Sequence, residues 1–250
     1  MTMTQNRTSW DRFDHIAVQD FTGYGERRVD LEAELERVGL MSRTKTYWNY
    51  PTPYNAFLYR NLRLNKDITN EGTLDCTLGH YRILKTAYEL GYGHLLVMED
   101  DIRFLNDTEL LNEIINDLPE DYDFAKFEWY TRKFSHAEAV ARPRIGKYWI
   151  DGHGIKLLGT GMVAFSRKGM KWKIDRIESA LKPGQELHSI DIYDRPEFMD
   201  QALKCYLALP LGGIQGIYDR NMHKHVKDYD LLMANNSRDS YGHEIGESSD

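Results

Sequence analysis

Short apolar runs alternate with amphipathic stretches along most of the chain, the rhythm of an α/β protein. His15-Ile16-Ala17-Val18 is rich in β-formers and predicts a buried strand, with Thr22-Gly23-Tyr24-Gly25 as the turn after it. Glu26 to Val38 carries Val29, Leu31, Leu35 and Val38 among charges and stops at Gly39. That pattern predicts a surface helix with a glycine at its C-terminal end. From Thr73 to Leu90, Leu74, Leu78, Tyr81, Leu84 and Tyr88 recur at helical spacing, and Gly91 ends the run. His94 to Met98 predicts a second strand, leading straight into Glu99-Asp100-Asp101. Its unbroken Leu95, Leu96 and Val97 suit a central strand covered on both faces. Asn106 or Asp107 is placed to cap a helix holding Leu110, Leu111, Ile114, Ile115 and Leu118, closed by Pro119.

Further on, Tyr122 to Trp129 alternates as a strand would, and residues 131–152 are basic and irregular, a long loop or hairpin. Leu157 to Phe165 predicts a glycine-containing strand, and Ser166-Arg167-Lys168-Gly169 opens a helix running to about Leu181. Phe198 to Leu209 places Met199, Leu203, Tyr206 and Leu207 on one helical side. Tyr47 to Tyr59 is aromatic, holds Pro51 and Pro53, and predicts an ordered loop. The ordered part is expected to begin near Phe13. The chain then divides into an extension over 1–12, one α/β domain over 13–220, and a polar tail over 221–250.

With 250 residues and 41% hydrophobic positions, one domain of that kind can bury a core. A formal net charge of -7 argues against a broad grip on nucleic acid. It leaves room for an anionic small ligand held locally by a metal ion or a few arginines. Cys76 and Cys205 lie far apart and neither is read as having the close companions of a zinc site; both are expected to be reduced, buried thiols of a cytoplasmic protein. Met1 to Asp11 is polar, and no apolar stretch is long enough to span a bilayer, so membrane contact is expected to be peripheral at most.

The passage Leu95-Leu96-Val97-Met98-Glu99-Asp100-Asp101 carries the chemistry. Three adjacent carboxylates at the end of a buried strand repel one another and lose solvation, so a cation or a set of amide donors must neutralise them. Ligands of open α/β sheets bind at the carboxyl ends of strands. Oxygen ligands favour magnesium or manganese, which bridge to phosphate oxygens. The same pattern also fits one helix cap with solvated neighbours, and from pattern alone both readings stand.

Motif order along the chain resembles glycosyltransferase family 25, the group of lipooligosaccharide and procollagen galactosyltransferases. The resemblance runs from about Phe13 to about Gln215 and rests first on Cys76-Thr77-Leu78-Gly79-His80-Tyr81-Arg82-Ile83-Leu84-Lys85 followed by the Glu99-Asp100-Asp101 strand end. Glu26-Arg27-Arg28, Gly161 to Gly169, Phe198-Met199-Asp200, Pro210 and Gln215 add to it in order and spacing. The chain departs from the family at Gln19-Asp20-Phe21, where an asparagine-leucine pair is usual, and at Asp75 and Gly79, usually glycine and serine.

What the resemblance implies is a single-domain GT-A, Rossmann-like fold that binds a UDP-sugar with manganese or magnesium. It would invert the anomeric centre while moving a hexose, galactose by family default, to a glycan or lipid-linked saccharide, as in lipopolysaccharide biosynthesis. Asp101 is then the first choice as metal ligand, with Glu99 beside it and His223 or His225 as late additions; Glu99 or Asp100 would face ribose or bound water. Arg27, Arg28 and His80 are candidates for donor contact. Asp200 is the expected general base, ahead of a helix over Gln201 to Leu209, with Asp191 second. Two other classes remain: a degenerate nucleotide-sugar-binding protein, and a metal-dependent phosphoryl or nucleotidyl transferase. The latter is disfavoured because no Gly-x-x-x-x-Gly-Lys-Ser/Thr loop is present.

Overall fold

Strand β1 (His15–Phe21) and strand β4 (His94–Glu99) run parallel and adjacent, with Ile16 opposite Leu96 and Gln19 opposite Glu99. This pair is the centre from which the sheet grows. The computed structural model describes residues 8–21, 25–49, 62–68, 71–104, 108–129, 141–155, 159–195, 198–209 and 213–215. Within them lie helices α1 (Gly25–Arg37), α2 (Glu71–Glu89), α3 (Thr108–Asn116) and α4 (Arg167–Ala180). The remaining strands are β2 (Thr44–Asn49), β3 (Arg63–Leu64), β5 (Ile102–Phe104), β6 (Phe124–Lys126), β7 (Arg144–Ile145), β8 (Trp149–Asp151), β9 (Met162–Ser166), β10 (Glu186–Leu187), β11 (Cys205–Ala208) and β12 (Gly213–Gln215).

Eight strands form one mixed sheet in the order β2-β1-β4-β9-β6-β11-β8-β7. β9 runs antiparallel to both β4 and β6, and β11 runs parallel to β6. The carboxyl ends of β1, β4, β6 and β11 therefore share one edge, and β9 starts there. Side-chain alternation sorts the two layers. Ile16, Val18, Leu96 and Met98 face the cluster of Leu31 and Leu35 from α1 with Leu111, Ile114 and Ile115 from α3. Ala17, Leu95 and Val97 face Ile83, Leu84 and Ala87 from α2 with Met170 and Ile174 from α4. At the start of α4, Ser166 accepts a hydrogen bond from the Gly169 amide at 3.1 Å. A Cβ on Gly169 would stand 2.0 Å from the Asp123 carbonyl oxygen, so only glycine lets this helix approach.

The α/β reading and its early helices and strands are observed, with three corrections. Packed structure begins before Phe13: Ser9–Arg12 form a short 3-10 turn that buries Trp10 in the core. Tyr47 to Asn49, the start of the expected loop, are instead the end of β2, an edge strand parallel to β1; the turn at 22–24 and residues 50–59 of that loop lie outside the described residues. The hairpin expected within 131–152 is found as β7 and β8 among its described residues. Most consequentially, Phe198 to Leu209 is not a helix. After a turn at 200–203, Cys205 to Ala208 enters the sheet as β11, fully buried between β6 and β8. A four-residue apolar run in a doubly covered strand carries no period that separates it from a helix.

Candidate functional site

The period of two that builds the sheet also splits the acidic triplet. Glu99 points to the layer of Leu95 and Val97, towards α2, where it meets Cys76, His80 and Thr160. His80 Nε2 lies 3.1 Å and Cys76 Sγ 3.6 Å from Glu99 Oε1, and the Thr160 hydroxyl donates to the same oxygen at 2.5 Å. Burial works against the Glu99 carboxylate, yet the hydrogen bond and charge of His80 hold its pKa below the ordinary value. Asp100 takes the other side, towards α1. Its Oδ1 is 3.2 Å from Arg27 Nη1, and the same guanidinium stands 3.8 Å from Asp101 Oδ2.

Asp101 is buried with little protein support. Its Oδ1 is inaccessible and has no hydrogen-bond partner among the described residues. Burial, then the neighbouring Glu99 charge, push its pKa well above the carboxylate range. Asp20, at the end of β1, is likewise buried with an unpartnered Oδ2. The strand end is therefore a dense anionic edge.

Sequence pattern did not single out Glu128, which follows β6 at the same edge. It is buried, accepts the Gly161 amide at 3.1 Å, and has its pKa raised to about 7, chiefly by burial. Gly159 makes room for it: φ there is 90°, and a Cβ would stand 2.5 Å from the Glu128 carboxylate. The signal available in sequence was a carboxylate at a strand's carboxyl end, the position that drew notice to Glu99.

Asp191 and Asp200 part company. Asp191 sits on the 3-10 turn Ile190–Asp194, accepts the Ser189 hydroxyl at 2.6 Å, and is near enough to raise both the Cys76 thiol and the Glu128 carboxyl. Asp200 is exposed and accepts the Ala202 amide at 2.9 Å, just ahead of β11, at the opposite edge of the sheet. The helix it was expected to precede does not exist. Arg28 is an exposed helix charge paired with Glu32 at 2.9 Å. His80 is fully buried against Glu99, facing its carboxylate rather than solvent. His223 and His225 lie outside the described residues.

The sequence model of glycosyltransferase family 25, described as an LPS biosynthesis protein, matches residues 31–157, just over half of the chain. The chain belongs to glycosyltransferase family 25. This family 25 enzyme is a glycosyltransferase, and its mixed α/β sheet with an acidic strand end agrees with the GT-A arrangement expected. No curated protein matches the family 25 chain significantly.

Solved structures resemble it more distantly. A glycosyltransferase involved in glycosylation of the major capsid of PBCV-1 is 11% identical, covers 87% of this chain and 99% of its own, and has a TM-score of 0.37. A mannose-1-phosphate geranyltransferase from Thermus thermophilus is 17% identical over 81% of this chain and 74% of its own, with a TM-score of 0.40. A Drosophila galactosyltransferase in complex with manganese, UDP-Gal and xylobiose is 11% identical over 84% and 74%, with a TM-score of 0.33.

Proposed function

We propose that this family 25 enzyme is a metal-dependent, inverting hexosyltransferase that moves a sugar, galactose by family default, from a UDP-sugar to a glycan or lipid-linked saccharide in the cytoplasm. Residues 13–220, together with the Ser9–Arg12 turn that places Trp10 in the core, are taken as its catalytic domain. The observation that carries the metal reading is the buried, unpartnered Asp101 Oδ1 beside the Glu99 and Asp100 carboxylates. An oxygen donor left in that state fits a hard divalent cation, manganese or magnesium. When bound, such a cation supplies positive charge where the leaving diphosphate builds negative charge.

The chain's own residues divide the remaining work. Asp101 is the ligand, while Asp100 is held by Arg27 and orients the turn. Arg27, at the start of α1 and 16% exposed, is placed to meet a diphosphate. Asp191 is our choice for the general base, accepting the acceptor hydroxyl's proton as that oxygen displaces the nucleotide. It has the two attributes Asp200 lacks, the correct edge and proximity to Glu128. Calorimetry of UDP binding with and without manganese, on wild type and Asp101→Asn, tests the reading. Manganese should strengthen UDP binding in wild type and do little in the variant. Equal UDP affinity with and without manganese in the wild type would remove the metal from the proposal. Hydrolysis of UDP-, GDP- and CMP-sugars then identifies the donor.

A further inference from the structure

Cys76 and His80 stand one helical turn apart on α2, so both project from the face that packs on β4. Glu99 comes up between them from the strand end. Thiol sulfur, imidazole nitrogen and carboxylate oxygen all lie within 4.8 Å of one another. We propose that Cys76, His80 and Glu99 form a site for a thiophilic divalent cation, zinc above all, separate from the oxygen site at Asp101.

Distance and donor chemistry both support this. Tetrahedral zinc with bonds of about 2.3 Å to sulfur and about 2.1 Å to nitrogen or oxygen separates sulfur from oxygen by about 3.6 Å, and nitrogen from oxygen by about 3.4 Å. The observed separations are 3.6 Å for Cys76 Sγ to Glu99 Oε1 and 3.1 Å for His80 Nε2 to Glu99 Oε1. Those two edges thus lie within about 0.3 Å of tetrahedral zinc, and the third, sulfur to nitrogen, is within 4.8 Å. A thiol and an imidazole select zinc-like ions over magnesium or manganese, whereas the Asp101 position offers oxygen. Cys76 is only half-buried whereas His80 and Glu99 are covered, so an ion would enter past Cys76. Binding replaces the thiol proton, released to solvent, and neutralises Glu99 where three carboxylates adjoin. Cys76, read from sequence as lacking a metal-site companion, thus gains two, one from four residues along its own helix and one from the sheet.

This site does not rest on the sugar-transfer reading. The test is titration of the purified full chain with cobalt(II), followed by optical absorption. The expected result is a thiolate-to-cobalt charge-transfer band that is absent in Cys76→Ala and retained in Asp101→Asn. No band in the wild type overturns the proposal. So does a band that survives in Cys76→Ala, or one that is lost in Asp101→Asn. Should Cys76→Ala fail to fold, alkylation of Cys76 in the wild type, read by peptide mass, decides. Zinc should slow it by roughly tenfold or more, since the metal holds the sulfur; an unchanged rate overturns the proposal.

Discussion

The Lys126 ammonium lies 2.8 Å from the Asp194 carboxylate, and both side chains are almost wholly buried. Lys173 from α4 pairs with the same carboxylate and also donates to the Ile190 carbonyl at 3.1 Å, while Lys126 donates to the Gly159 carbonyl at 2.5 Å. These bonds tie the turn that carries Asp191, and the loop that accommodates Glu128, to the sheet. Asp194→Ala strands two lysines without their counter-ion and should cost about 3–5 kcal/mol in urea denaturation. Burial opposes ionisation of Asp194, but the two lysines prevail and hold its pKa below the ordinary value. Its stabilisation is therefore full above the unfolded pKa of about 4 and is lost as pH falls through the lower folded value. Loss of less than about 1 kcal/mol in Asp194→Ala would mean the triad contributes little beyond an exposed ion pair.

Glu128 predicts the opposite pH dependence. Its folded pKa of about 7 lies above the unfolded value, so between roughly pH 4.5 and 7 the unfolded chain gives up a proton that the folded chain keeps. Stability then falls with rising pH across that window and levels off above it. Glu128→Gln should be more stable than wild type at pH 8 by on the order of 3 kcal/mol, the gap shrinking towards pH 5. Urea midpoints at the two pH values check this, and a gap independent of pH would show that Glu128 is charged throughout.

Asp191 and Asp200 are separated by conservative substitution. Asp191→Asn should lower turnover by roughly 10²–10⁴-fold with donor affinity little changed. Asp200→Asn should transfer sugar normally, because among the described residues its carboxylate accepts just the Ala202 amide, at the far edge. Steady-state transfer assays with both variants reverse the assignment if Asp200→Asn is the impaired one.

Leu96 lies in β4 between β1 and β9 and is 0% exposed. Leu96→Ala should cost about 2–5 kcal/mol, the transfer term plus the cavity left behind. A loss under about half a kcal/mol by chemical denaturation would place β4 at an edge rather than in the centre.

Local pattern carried much of the fold. The periods around Leu31, Leu84, Leu96 and Ile114 marked helices and strands whose apolar faces are the observed core. The acidic strand end at Glu99 to Asp101 was legible too, because a charge cluster after an unbroken apolar run is conspicuous without any partner. Partners were not legible. Whether Cys205 to Ala208 is helix or strand depends on β6 and β8 accepting it into the sheet, a choice made by contacts distant in sequence. That choice also sets Asp200 at the far edge, while the bonds of Lys126 and Lys173 to Asp194 hold the turn of Asp191 at the near one. Likewise, Glu99 facing α2 and Asp100 facing Arg27 follow from strand alternation, but only the packed layers decide what stands on each side. Glu128 acquires its raised pKa from burial beside Gly159 and Gly161, an environment that exists only once β6 and β9 have paired.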